Sequence, residues 1–165
     1  MGRLMGATDY MNTIRAGRPD DMQAVLDIWL TASVKAHSFI SEAFWQDQLP
    51  EMAEVYLPAS KVFVCTDDDT GQITGFSALY DNSLAALFVH PDFQGRGQGK
   101  ALLHHAIAFN RTRLSLTVYK ANQRAIDFYV AQGFEIERRQ TDPHTGEPEY
   151  LMTHVAGSHK FQKAD

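Results

Sequence analysis

Residues 94–100 read Gln94-Gly95-Arg96-Gly97-Gln98-Gly99-Lys100, three glycines alternating with long polar side chains and closed by a lysine. A backbone free of Cβ atoms at alternate positions can bring several N–H groups up to one ligand. N–H groups gathered at the start of a helix suit an anion, above all a phosphate or pyrophosphate. Arg96 and Lys100 add positive charge beside them. The plainer alternative is a turn that caps a helix, which seldom needs three glycines in five residues.

Two familiar phosphate loops do not fit. A Walker loop has four residues between its first glycine and the Gly-Lys pair, then a Ser or Thr for magnesium. Here three residues separate Gly95 from Gly99, and Ala101 follows Lys100. A dinucleotide loop is spaced G-x-G-x-x-G after the first strand of its unit, with an acidic ribose ligand about 20 residues on. This loop is spaced G-x-G-x-G, follows the fourth expected strand and has no such acid.

The elements that must hold the loop follow from periodicity and breakers. Residues 12–16 read as a strand. Pro19, Asp20 and Asp21 open a first helix, and Met22, Val25, Leu26, Ile28, Trp29 and Ala32 carry it at helical spacing to about Ala36. A second helix is expected over Glu42–Tyr56, stopping before Pro58. "KVFVCT" and "ITGFSALY" form a hairpin around Gly71, and "SLAALFVH" is a continuous apolar strand of the kind found centrally. A helix over about 97–109 follows the loop. "LSLTVY" is a strand, Asn122 caps a helix that ends at Gly133, and "FEIERRQ" and "PEYLMTHV" close the sheet around "DPHTGE". The order β α α β β β α β α β β predicts one α+β domain with a mixed sheet over residues 12–155. Residues 1–11 read as a disordered leader and 156–165 as a flexible tail.

Composition bounds the function. The chain has 165 residues and a formal net charge of −5, so its overall field does not attract nucleic acid and mildly favours cationic partners such as amines. No apolar run approaches the roughly 18 residues that span a bilayer, and no membrane partner is expected. Cys65 is the one cysteine, so there is no disulfide framework or cysteine-based zinc site, and a cytoplasmic setting fits. No metal is expected.

The stretch "LFVHPDFQGRGQGKALL" resembles the cofactor motif of the GNAT family, the Gcn5-related N-acetyltransferases, whose pattern is Q/R-x-x-G-x-G/A between a strand and a helix. "VYKANQRAIDFYVAQGFE" resembles the family's second cofactor segment, and the likeness extends over nearly all of residues 12–154. The resemblance implies the GNAT fold, a mostly antiparallel sheet of about seven strands with about four helices. It implies acetyl-CoA as cofactor, held by Gln94, Gly95, Arg96, Gly97, Gln98, Gly99 and Lys100 at the pyrophosphate. Main-chain groups of Leu87, Phe88 and Val89 and the side chain of Asn122 would hold the pantetheine arm. It also implies that the strand 87–89 splays from its neighbour, which the sequence itself does not show. Tyr129 stands where the family's general acid sits. A phenol of pKa about 10 can return a proton to a thiolate of pKa about 8.5 at neutral pH. Asn122 and Tyr129 are seven residues apart, nearly two turns, and so share one helix face.

The base is harder to place. Several relatives carry a glutamate five residues before the asparagine, where this chain has Thr117. His37, Glu42, Asp81 or a water chain are the alternatives by location, with His37 suited by its ordinary pKa. His37, Phe39, Trp45 and Tyr80 are the expected acceptor pocket, where aromatic rings could hold a cationic amine or simply pack. The implied reaction is direct attack of a primary amine, on a small molecule or on a protein lysine or N-terminus, in a ternary complex. A sensor that binds acyl-CoA without turnover is the rival reading. Either a monomer or a homodimer is compatible.

Overall fold

The computed structural model describes residues 12–155; the leader and tail readings fall outside the described residues. Seven strands form one sheet: β1 (Asn12–Ala16), β2 (Lys61–Asp67), β3 (Ile73–Tyr80), β4 (Ser83–Val89), β5 (Arg113–Tyr119), β6 (Glu135–Thr141) and β7 (Pro148–Val155). Their spatial order is β1-β2-β3-β4-β5-β7-β6, so β4 is the middle strand. Every pairing is antiparallel except β4 with β5. The mostly antiparallel α+β sheet expected from the sequence is thus present.

Helix α1 (Met22–Ala36) buries Val25, Ile28, Trp29 and Ala32, the stripe read from the sequence. Its start is fixed by Asp21, which accepts the Arg18 N–H at 2.8 Å and pairs with Arg15 at 2.8 Å. Helix α2 (Glu42–Glu51) begins at Ser41, whose Oγ accepts the Phe44 N–H. Helices α1 and α2, with Leu57 a few residues further on, cover one face of the sheet, packing Trp29, Trp45 and Leu57 on Val64, Phe76, Ala78 and Ala86. On the other face, α3 (Gln98–Asn110) and α4 (Gln123–Ala131) pack Leu103, Ala106 and Ile126 on Leu79, Leu84, Leu114, Leu116 and Met152. At the C-terminal end of α4, Gly133 takes the positive φ that the turn demands.

One boundary differs from the sequence reading. The second helix does not stop before Pro58 but continues through a π turn (Met52–Tyr56) into a last turn at Leu57–Ala59. The Leu57 N–H reaches back to the Met52 carbonyl, and Pro58 falls in the first positions of the new turn, where its missing N–H is not required.

Candidate active site

The site begins with a break in the sheet. Strands β4 and β5 pair only at Ser83 with Ser115, supported by the Ser115 N–H on the Asn82 carbonyl at 2.8 Å. Beyond that pair the two strands part. The parting has a local cause in the β3–β4 register: Leu79 faces Leu84 while Ala78 faces Ala86, so Ala85 is one residue too many. Such a bulge bends its strand and ends a ladder. Alternate backbone groups from 84 to 89 therefore face an opening rather than β5. This is the splay that the family resemblance implies along Leu87, Phe88 and Val89.

The glycine loop closes the wide end of that opening. Gly95 and Gly97 hold φ of +82° and +81°, a region most side chains avoid, and Gly97 is the N-cap of α3. No side chain caps the first turn of α3 there, and N–H groups at a helix start have no partner within the helix. Gly99 is different: a Cβ would meet only Val89 Cγ2 at an ordinary 3.8 Å, so neither φ nor packing within the chain demands glycine there. The Gln94 and Gln98 side chains are committed to their own chain. Gln94 Nε2 donates to the Val89 carbonyl at 2.9 Å. Gln98, 2% exposed, accepts the Thr74 hydroxyl at 2.7 Å and donates to Asn12 Oδ1 at 3.0 Å. These bonds tie the loop to β4, β3 and β1. Arg96 lies over the Phe93 ring at 5.1 Å, and Lys100 is exposed.

On the α3–α4 face, Asn122 Oδ1 caps α4 through the Ala125 N–H at 3.2 Å. Tyr129 packs between Phe128 and Phe134, in the same cluster as Leu87, while Val130 next to it is exposed. Burial pushes the Tyr129 phenol well above its usual pKa.

The opposite face holds a cleft of about 770 Å³. Ser83 and Ala85 of β4 and Thr117 and Tyr119 of β5 line it, so its floor is the gap between the parted strands. One wall is apolar, with Trp29, Phe44, Trp45, Met52 and Tyr80; the other carries Asp142, His144 and Glu149 from β7 and the turn before it. Of the expected acceptor residues, Trp45 and Tyr80 line this cleft. His37 and Phe39 stand behind it, in ring contact with Tyr119, and His37 also with Trp45. His37 is 8% exposed and its Nδ1 has no partner. Burial lowers its pKa, partly opposed by a hydrogen bond to the Ser33 backbone. Neither Glu42 nor Asp81 lines the cleft; Asp81 sits at a positive-φ turn position.

Three cleft residues escaped the sequence reading. Tyr119 donates to Asp142 Oδ2 at 2.5 Å. Burial, and then this bond, raise the Tyr119 phenol strongly. Burial acts against the Asp142 carboxylate, but the bonds it accepts from Tyr119, the His144 N–H and Thr145 leave it below the usual range. Glu149 lies opposite Tyr119 in the β5–β7 register and accepts from Gln140 Nε2 at 2.7 Å. Among the described residues no cluster of His, Cys, Asp and Glu could hold a metal ion, and no helix is long and apolar enough to cross a membrane.

A split sheet, a backbone anion loop and a cleft over the split define an acyl-CoA-dependent transferase fold. Comparison with known proteins places it. Residues 58–136 match the acetyltransferase (GNAT) domain. The peptidyl-lysine N-acetyltransferase YiaC of Escherichia coli is 35% identical over 141 residues, 85% of this chain and 94% of that protein. The solution structure of apo YjaB from Escherichia coli shares the fold with a TM-score of 0.75 and 27% identity, over 88% of this chain and 98% of the other. PaiA from Thermoplasma acidophilum, solved in complex with coenzyme A, shares the fold at a TM-score of 0.73 and 19% identity, over 88% and 99%. The chain belongs to the GNAT family of N-acetyltransferases, whose co-substrate is acetyl-CoA.

Proposed function

We propose that this protein is a peptidyl-lysine N-acetyltransferase, working by direct transfer in a ternary complex. The observation that carries this reading is the open cleft floored by the β4–β5 gap, with an aromatic wall on one side and two carboxylates on the other. An extended lysine side chain fits that combination: its methylenes lie on Trp45 and its ammonium meets Asp142 and Glu149. The similarity to YiaC, itself named a peptidyl-lysine acetyltransferase, supports it.

Acetyl-CoA supplies an acyl carbon activated by its thioester. The N–H groups from Gly95 to Lys100 bind the pyrophosphate, and Asn122 adds an amide contact to the pantetheine arm. The unpaired edge of Leu87–Val89 binds that arm as a replacement strand and donates to the carbonyl oxygen as charge builds there. Glu149 takes a proton from the acceptor ammonium, leaving the lone pair that attacks the carbonyl carbon. Asp142 serves less well as base, because three hydrogen bonds already hold it as carboxylate. The C–S bond breaks as the C–N bond forms. Tyr129 donates its phenolic hydrogen bond to the departing sulfur and keeps its own proton, and the released thiolate takes its proton from solvent. The family's co-substrate and the single buried thiol suit a cytoplasmic setting.

The test is mass spectrometry of lysine peptides, N-terminally free peptides, polyamines and aminoglycosides after incubation with acetyl-CoA. Acetyl on the lysine Nε is the expected product. Turnover confined to small amines or to α-amines overturns the lysine assignment, and acetyl-CoA binding without any turnover favours the sensor.

A further inference from the structure

The second helix carries a displaced residue. Its inward positions run Trp45, Leu49, Met52 and then Leu57, steps of four, three and five. A continuous α-helix would bring Tyr56 inward, four residues after Met52. The i→i+5 turn over Met52–Tyr56 inserts one extra residue, so Leu57 takes the core place at 3% exposure. Tyr56 is turned out, 46% exposed, beside Val55 at 53%. Both line the cleft, and so does Tyr80, 54% exposed, from the end of β3. Of the seven exposed large apolar residues among those described, these three share one cleft. Exposed apolar surface gathered at one place marks a binding face, and tyrosine suits it because one end is apolar and the other wet. Helices pay for a π turn in geometry, and such turns recur at functional sites.

We infer that Val55, Tyr56 and Tyr80 form an apolar ledge that selects acceptors with a bulky apolar group close to the reacting amine. In a peptide this is an aliphatic or aromatic residue flanking the lysine. Charge complementarity fixes the orientation: the ammonium turns to the Asp142–Glu149 wall and the apolar neighbour to the ledge across the cleft. The inference rests on the cleft being the acceptor site.

The experiment measures kcat/KM for two acceptor pairs at saturating acetyl-CoA. One pair is lysine peptides identical except for Leu or Ser at the flanking positions. The other is 2-phenylethylamine and ethanolamine. Enzymes are wild type, Tyr56→Ser, the triple Val55→Ser/Tyr56→Ser/Tyr80→Ser, and the distant exposed Ile136→Ser; melting temperature and acetyl-CoA affinity report folding. The expected result is a preference of roughly tenfold for the apolar member, collapsing toward one in the ledge variants and kept in Ile136→Ser. Equal rates in the wild type, or a preference that survives the triple variant, overturn the ledge. If only small amines react, the lysine reading falls and the 2-phenylethylamine ratio still decides the ledge. No turnover with either pair overturns both. Concentration-dependent dimerisation lost in Tyr56→Ser, with an unchanged acceptor ratio, assigns the ledge to self-association and overturns the acceptor role.

Discussion

The two sides of the β4–β5 gap are built from different materials. On the loop side most of the groups proposed to meet the co-substrate are main chain, from the open edge of β4 and the first turn of α3, with the side chains of Asn122 and Tyr129 beside them. Even the polar side chains there, Gln94 and Gln98, bond back to the protein. On the cleft side the groups are side chains from α2, β5, β7 and the turn before β7. Main-chain recognition suits a fixed co-substrate, because it depends on conformation rather than on residue identity. Side-chain recognition suits an acceptor that differs from one enzyme to the next. The contrast predicts that cofactor binding breaks when backbone geometry is changed, and acceptor chemistry when single polar atoms are removed.

Removing one oxygen from Tyr129 should give the largest effect. Tyr129→Phe is expected to lower kcat by about 10²–10³, with acetyl-CoA affinity unchanged by calorimetry. A parallel loss of affinity would make Tyr129 a packing residue of the cofactor side. Next, Glu149→Gln should lower kcat/KM by about 10² near neutral pH. An acceptor of lower amine pKa, such as a thialysine peptide, should recover much of the loss, because it needs less help to deprotonate. Equal losses on both acceptors would reduce Glu149 to a structural role.

The glycines separate conformation from ligand approach. Gly97→Val forces a β-branched residue into the left-handed region, at about 1–2 kcal/mol, and should weaken acetyl-CoA binding about tenfold. Gly99→Ala should raise the melting temperature slightly, since alanine suits a helix better and 3.8 Å to Val89 is room enough. It should nonetheless weaken acetyl-CoA binding if the backbone at 99 meets the ligand; unchanged affinity would remove Gly99 from the binding surface.

The smallest effect concerns His37. Its folded pKa is lowered, so the unfolded chain binds the proton more readily. Its contribution to stability is complete above the ordinary value of about 6.5 and is lost as pH falls toward the folded pKa. His37→Phe, which keeps a ring among Phe39, Trp45 and Tyr119, should reduce the acid-induced drop in melting temperature. His105, also lowered by burial, accounts for a further part.

What the sequence disclosed follows the same division. The glycine spacing, Asn122 and the two periodic helices are local signals, and the elements they predicted are present. The splay is not local: nothing in "SLAALFV" marks Ala85 as the surplus residue, because a bulge is defined only against the partner strand. In the sequence Asp142 and Glu149 are simply parts of a turn and a strand, and their place in the cleft depends on β5 pairing with β7 rather than with β6. Pro58 misled because the sequence does not announce a π turn. Apolar spacing does not reveal it either: Val55 and Tyr56 stand three and four residues after Met52, as a continuous helix would ask, and only the structure puts Leu57 in the core place.

The most direct test of the division is amide chemical-shift mapping by NMR with acetyl-CoA and a lysine peptide added in turn. The account predicts that acetyl-CoA moves the N–H resonances of Leu87–Val89 and Gly95–Lys100, and that the peptide then moves those around Trp45, Tyr119 and Glu149. Acetyl-CoA shifts centred on the cleft, with the glycine loop unmoved, would contradict it.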